Sequence, residues 1–351
     1  MKKFISAILL LALALPLLIS CSKEKEKFSE YSFDYFDTAT TITGYADSKE
    51  QFDEISKDIL SQLEEYHKLF TIYHKYDGLE NLCTVNELEG DAHRVVKVDK
   101  RIIDMLEYAK EMYAKTDGTV NVAMGSVLSI WHNYRTQGLN DPASAQLPPM
   151  DKLTEAADHT DINDLIIDKE NSTVFLADPK MTLDVGAIAK GYAVEMIARS
   201  LEERGITGYV LNVGGNVRTL GVKGNGEKWL AGIENPADDE SDPYIAYLNL
   251  AGESLVTSGS YQRYYTINGK SYHHIIDPDT LMPAERYTSV SVVCKSSADG
   301  DALSTALFCM SYEDGARLVS SMDGVEVIWV FSDGTKKSSE GFSSYVAELK
   351  N

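Results

Sequence analysis

Seven short β-branched runs lie at irregular intervals between three long amphipathic stretches, and that arrangement restricts the chain to an α+β architecture. Residues 40–45, 165–167, 173–176, 209–213, 245–250, 289–293 and 325–331 read as strands. Phe52, Ile55, Ile59, Leu63, Tyr66 and Phe70 recur at three- and four-residue spacing and predict a long helix. A second helix is expected over residues 102–113 and a third over 189–203, stopped by Gly205 in the C′ position. Strands and helices do not alternate regularly, so a repeating βαβ sheet is not expected. Residues 136–150, with Pro142, Pro148 and Pro149, predict a loop, and so does the acidic stretch 234–243.

The first residues predict an address. Lys2 and Lys3 precede an apolar run from Phe4 to Ile19, broken only by Ser6 and Pro16, and Ser20 stands before Cys21. This is the pattern of a signal peptide over residues 1–20. The run is short for a bilayer core, which needs roughly 20 apolar residues. Leu18-Ile19-Ser20-Cys21 matches a lipobox, so Cys21 is the expected lipidation site, with an ordinary secretory signal as the alternative. Two or more acyl chains would anchor the protein stably to a membrane. Residues 21–29 then form the lipidated cysteine and a charged spacer, and residues 30–351 the folded domain.

Of 351 residues, 54 are acidic and 33 basic, a formal charge of -21. Removing residues 1–20 takes Lys2 and Lys3 away and leaves 331 residues at -23. Nucleic acid is thereby excluded as a partner, and a phosphate-rich ligand needs a cation or locally placed donors. With Cys21 lipidated, Cys83, Cys294 and Cys309 remain in apolar contexts, an odd number that does not indicate a disulfide framework.

Three segments carry candidate chemistry. Thr182-Leu-Asp-Val-Gly-Ala-Ile-Ala-Lys-Gly-Tyr192 places Asp184 at a strand end before a small-residue turn, with Lys190 opening the third helix. It reads either as an anion site at a helix N-terminus or as an Asp N-cap before a packed turn. Asp301-Ala-Leu-Ser-Thr305 puts two oxygen ligands four residues apart on one helix face, which suits a hard cation such as Mg²⁺. Its alternative is Asp301 as an N-cap. Tyr272-His-His-Ile-Ile-Asp-Pro278 points His273 and His274 to opposite faces, so one faces a site as general base while the other packs. A metal held by His274 and Asp277 is the weaker option. Gly221-Val-Lys-Gly-Asn-Gly226 lacks the helix of a phosphate loop and reads as a hairpin turn. Ser258 and Ser260 lack the Gly-x-Ser-x-Gly elbow of a serine hydrolase.

These segments occur in one order with Phe36-Asp-Thr38, Tyr73 and Asn86, Asp117-Gly-Thr-Val-Asn121, Asn212-Val-Gly-Gly-Asn216 and Thr257-Ser-Gly-Ser-Tyr261. Together they resemble the ApbE family of FAD:protein FMN transferases over nearly the whole of residues 30–351. The resemblance implies a single α+β catalytic domain of the ApbE type, T-fold-like, with interspersed helices and mixed or antiparallel sheets. It implies FAD in a deep cleft with its diphosphate beside Mg²⁺. The Ala187 carbonyl, Asp301 and Thr305 would hold the metal. Phe36, Tyr73, Thr119, Val120, Asn121, Asp184, Lys190 and Ile275 would contact FAD, and His274 would be the base.

The implied reaction moves FMN from FAD to a threonine hydroxyl, releasing AMP. The acceptor is expected to be an exported or membrane redox protein carrying an Asp-Ser/Thr-Gly-Ala/Ser-Thr segment. An FAD pyrophosphatase and a non-catalytic flavin-binding lipoprotein are the other readings. The chain departs from the family pattern at Phe36-Asp37-Thr38, where Met-Gly-Thr is usual, and at Asn121 and Asn216, where Asp is usual. It also has Thr280-Leu-Met-Pro283 in place of Thr-Gly-x-Pro.

Overall fold

A computed structural model describes residues 25–237 and 242–348. The signal peptide and Cys21 lie outside the described residues. The main sheet has eight strands: β1 (Glu26–Ser32), β2 (Thr40–Ala46), β3 (Tyr209–Val213), β4 (Asn216–Leu220), β5 (Ser254–Gly259), β6 (Tyr287–Cys294), β7 (Glu326–Phe331) and β8 (Lys336–Ser338). They lie side by side in chain order, every neighbouring pair antiparallel. The sheet is therefore a meander whose connections carry the other elements.

Six helices of nine residues or more are labelled in chain order. They are α1 (Lys49–Phe70), α2 (Lys100–Lys115), α3 (Gly125–Asn140), α4 (Ala189–Glu203), α5 (Ser297–Cys309) and α6 (Tyr312–Ser320). The connection from β2 to β3 carries α1 to α4 and a three-stranded sheet of Val96–Lys97, Thr173–Leu176 and Leu165–Asp168. None of the helices in the described residues is long and apolar enough to cross a membrane.

Alternation along the central strands divides the sheet into two buried faces. Val290, Val292 and Cys294 of β6 share a core with Ala302, Leu303, Ala306 and Leu307 of α5. Val293, one residue out of phase, packs with Leu255, Ile328 and the hairpin Trp229–Glu234/Tyr244–Leu250. Toward the other end, Phe52, Ile59 and Leu63 of α1 meet Ile42, Tyr209, Leu211 and the Val194, Ile197 and Leu201 face of α4.

Helix ends follow the local rules. Gly205 takes φ +72° after α4, its N–H donating to Glu202 O at 2.9 Å and that of Ile206 to Leu201 O at 3.0 Å, a Schellman end. The turn from β3 to β4 is Gly214-Gly215, with φ +57° and +89°, which a two-residue hairpin with both central residues left-handed requires.

Three expectations change in the structure. Helix α3 occupies residues 125–140, so the expected loop 136–150 begins only after Asn140. This helix starts at Met124 without a side-chain cap, and its interior holds Gly138, whose missing Cβ leaves room for the Tyr265 ring. Strand β1 begins at Glu26, inside the expected spacer, because pairing with β2 rather than composition orders it. The Gly221–Gly226 segment does form a turn, closed by Gly226 N–H to Lys223 O at 2.9 Å. The strands it joins, however, belong to different sheets. Cys83, Cys294 and Cys309 are free, as expected.

One buried charge cluster ties β4 to α4 and α5. Arg218 is 1% exposed, and its Nε donates to Glu195 Oε2 at 3.2 Å while Nη2 reaches Glu202 Oε1 at 3.0 Å. Glu195 Oε2 also accepts the N–H of Ser297 at 3.0 Å, in the first turn of α5. Replacing one partner of such a pair leaves an uncompensated buried charge. Arg218→Ala is expected to lower unfolding stability by about 3–5 kcal/mol in urea titration. A loss below about 1 kcal/mol would contradict the role given to this cluster.

Candidate active site

A cleft opens at the end of the sheet where β4 begins and β5 finishes. Its walls come from Tyr73, residues 119–121, α3, residues 184–190, residues 262–276 and the first half of α5. Tyr73, Thr119, Val120, Asn121, Asp184, Ala187, Lys190, His274, Ile275, Asp301 and Thr305 all line it. Residues far apart in sequence thus meet in one place. Phe36 is not among the lining residues. It sits in a left-handed turn at φ +55°, its N–H donating to His67 Nδ1 at 3.2 Å and its ring meeting the His67 ring edge-on.

The segment before α4 is shaped by a side chain that imitates a strand. Asn86 Nδ2 donates to Leu183 O at 2.9 Å, and Asn86 Oδ1 accepts Leu183 N–H at 2.7 Å. Asp184 follows in an extended stretch held by one bridge at Thr182, not in a regular strand. Its Oδ1 accepts Gly186 N–H at 2.8 Å, which curls the turn, while Ile188 is the N-cap of α4. Burial raises its carboxyl pKa, opposed by the Gly186 N–H and by the charges of His132, Arg135 and Lys190.

Asp301 lies in the second turn of α5, whose N-cap is Ser296, so the capping alternative for Asp301 is excluded. The carboxylate is 5% exposed. Its Oδ2 accepts Gly191 N–H at 2.7 Å, and Lys190 Nζ stands 4.0 Å from Oδ1. Gly191 is in the first turn of α4, where an N–H has no carbonyl partner within the helix, and Asp301 satisfies it. Asn216, 2% exposed, donates from its amide to Asp301, and its Oδ1 has no hydrogen-bond partner. Thr305 Oγ1 lies 3.5 Å from Ser258 Oγ.

A buried carboxylate raised in pKa by desolvation, an orphaned amide oxygen, a hydroxyl and the carbonyl of cleft-lining Ala187, which precedes the α4 N-cap, make an all-oxygen set. They fit a hard divalent cation. Among the described residues no cluster of three or more His, Cys, Asp or Glu offers another metal site.

Two further departures from the family pattern also have local explanations. Asn121 donates from Nδ2 to Thr160 O at 2.8 Å and accepts Ala123 N–H at 2.9 Å, so its amide braces the loop. A carboxylate could not make the first of these bonds. Asp37, where glycine is usual, takes φ +51°, a conformation Asp tolerates better than most residues.

The two histidines separate as their alternation predicts. His273 is buried, bonded through Nε2 to Ala284 O at 2.7 Å and through Nδ1 to Ile275 N–H at 3.2 Å. His274 faces the cleft, with Nδ1 at 3.2 Å from Arg263 O. A carbonyl only accepts, so Nδ1 carries the proton and Nε2 is left as the free base. Desolvation, then the positive charges of Arg263, Lys190 and Arg135, push its pKa down to about 3. Asp277 is turned away from His274. It accepts the N–H groups of Asp279 and Thr280 and pairs with Arg286 at 3.1 Å, which rules out the His274–Asp277 metal pair.

Two cleft residues on α3 belong to no motif. His132 stacks on Tyr73, centroids 5.3 Å apart, and Arg135 Nη2 lies 3.3 Å from His132 Nδ1. Their only sequence signal is i, i+3 spacing on a helix that local pattern does not reveal.

The sequence profile of the ApbE family matches residues 36–329. The chain belongs to the ApbE family. It is 31% identical over 272 residues to a FAD:protein FMN transferase of Klebsiella pneumoniae, covering 75% of this chain and 81% of that one. A FAD:protein FMN transferase of Treponema pallidum is 32% identical over 282 residues, 76% of this chain and 75% of that one. Among solved structures, the ApbE protein of Thermotoga maritima superposes with a TM-score of 0.78 at 26% identity, over 92% of this chain and all of that one. This is the ApbE fold anticipated from the ordered motifs.

An imidazole with a depressed pKa gains no proton on folding until well below the usual 6.5, whereas the unfolded chain gains it there. His274 therefore costs stability as pH falls below about 6.5 toward 3, and it stays neutral at physiological pH. NMR titration of the FAD-free protein is expected to place His274 far below 6.5, and Lys190→Met to move it upward. A wild-type midpoint near 6.5 would contradict the cationic environment assigned to this ring.

Proposed function

We propose that this ApbE protein is an exported, Mg²⁺-dependent FAD:protein FMN transferase that esterifies a threonine of a redox protein. The observation that carries the reading is His274. Its Nδ1–H is tied to a backbone carbonyl, and its free Nε2 opens into the cleft that also holds Lys190 and the Asp301 oxygen set.

In the transfer, the threonine Oγ attacks the phosphorus on the riboflavin side of the FAD diphosphate. The bond from that phosphorus to the AMP oxygen breaks, AMP leaves, and the threonine proton passes to His274 Nε2. Such general-base help is typically worth roughly a hundred- to ten-thousandfold in rate. Mg²⁺, when held by Asp301, Thr305 and the Ala187 carbonyl, would neutralise diphosphate charge. Lys190 adds positive charge at the same end of the cleft, and the turn before α4 lets the dinucleotide approach backbone N–H groups. Tyr73, half exposed and stacked on His132, offers an aromatic face for a ring. Cys21, once lipidated, would hold the enzyme at a membrane surface and limit its acceptors to exported domains within reach of the spacer.

Incubation with FAD, Mg²⁺ and a candidate exported acceptor, followed by mass spectrometry, is expected to find FMN on a threonine of the acceptor. Asp301→Ala is expected to abolish the label, and a variant that still flavinylates would overturn the metal assignment. Rapid AMP release without any acceptor, and no labelled acceptor, would instead make the protein an FAD pyrophosphatase.

A further inference from the structure

The chain contains nine arginines. Arg94, Arg101, Arg199, Arg204, Arg218, Arg286 and Arg317 each pair with a carboxylate. Among the described residues the two that do not are Arg135 and Arg263, and both line the cleft. In a protein of charge -21, where carboxylates are plentiful, this is an unusual place to leave guanidinium groups unpaired.

Neither arginine is loose. Arg135 Nη2 lies 3.3 Å from His132 Nδ1, and the His132 ring rests on Tyr73. Arg263 Nη2 donates to Asp37 O at 3.1 Å, and the Arg263 carbonyl receives both the N–H of His274 at 3.1 Å and its Nδ1–H. Each guanidinium is thus held at one corner by a neutral acceptor. Burial and then the Arg263 charge disfavour the charged form of Arg135, and Asp184 attracts Arg135 while its own Oδ1 is engaged by Gly186 N–H. An arriving anion would relieve that repulsion, and a planar carboxylate or phosphate suits the remaining donors.

The position of the pair selects which substrate brings the anion. Lys190 and the Asp301 oxygens supply charge at the end of the cleft where α4 begins. Arg263 adjoins His274, whose N–H and Nδ1–H both reach its carbonyl, and Arg135 stands by the His132–Tyr73 stack; with Lys190 their charges bear on the ring where the proposed reaction brings in the nucleophile. We propose that Arg135 and Arg263 form a recognition subsite for a side-chain carboxylate of the acceptor segment, near the threonine that is modified. This rests on the transferase reading above. It supplies what an acidic enzyme otherwise lacks, a local attraction for an acidic partner.

The test uses threonine peptides that differ only in one Asp or Asn, scanned along the positions flanking the threonine, with FAD and Mg²⁺. FAD affinity is measured separately by flavin fluorescence without peptide. Wild type is expected to favour one Asp peptide over its Asn counterpart by about tenfold in KM. Arg135→Gln and Arg263→Gln are each expected to raise KM for that peptide by about tenfold and to erase the preference, with FAD affinity within about twofold of wild type.

If the variants lose FAD affinity while the peptide preference survives, the anion is a phosphate of the dinucleotide and the proposal is overturned. If wild type labels Asp and Asn peptides equally well, it is overturned as well. A wild type that binds FAD and releases AMP but labels no peptide would sink the transferase reading itself, and with it this subsite.

Discussion

The approach of α4 to α5 at Gly191 is the contact on which the cleft depends. A Cβ at this position would lie 2.3 Å from Ser297 O and 2.4 Å from Asp301 Cβ, so no side chain fits without parting the helices. The absence of one lets the Gly191 N–H reach Asp301, and two consequences follow. The carboxylate is fixed in orientation, and Lys190 is brought within reach of it. One turn further along α4, Glu195 repeats the pattern by accepting Ser297 N–H while paired with Arg218. The helix pair is therefore aligned by two buried acids, each of which must be satisfied, and the register between the helices has little freedom.

Charge is distributed against the average of the chain. The surface is strongly acidic, yet His274 is surrounded by Arg263, Lys190 and Arg135, and the two acids nearest the reaction, Asp184 and Asp301, are both pushed toward their neutral forms by burial. A site of this kind is incomplete without ligands. Its carboxylates favour a cation, its cations favour phosphate or carboxylate, and binding both together satisfies each in a setting where water is scarce. The depressed basicity of His274 has the same origin, and anionic substrate in the cleft would move the ring back toward a useful proton affinity.

Much of this was legible in residue order. Helices α1, α2 and α4 follow from apolar spacing, and the Schellman end of α4 from Gly205. Strands β2, β3, β6 and β7 follow from β-branched runs, whereas β1, β4, β5 and β8 of the same sheet were not marked by one, and the separation of His273 from His274 follows from strand alternation. Lys190, Asp301 and His274 were recognisable only as members of an ordered set of motifs, since each segment alone could equally have been a cap or a turn. Helix α3 was not legible. It has no side-chain cap at its start, and a glycine stands inside it. One face packs on the Tyr264–Ile267 hairpin strand while another lines the cleft, so no single apolar stripe marks it.

By itself, then, the sequence determined the α+β class, the long helices α1, α2 and α4 and several strands, the family and the residue types available for chemistry, because these depend on periodicity, on neighbours within a few positions and on the order of motifs. Only the tertiary structure decided which of those residues meet. It removed Phe36 from the cleft wall, turned the Asn121 amide inward to brace its loop, left Asn216 Oδ1 unpartnered beside Asp301, and brought Arg135 and Arg263 together without a carboxylate. Such outcomes depend on the close packing of elements distant in the chain and on which buried polar atoms find partners there. No local pattern carries that information.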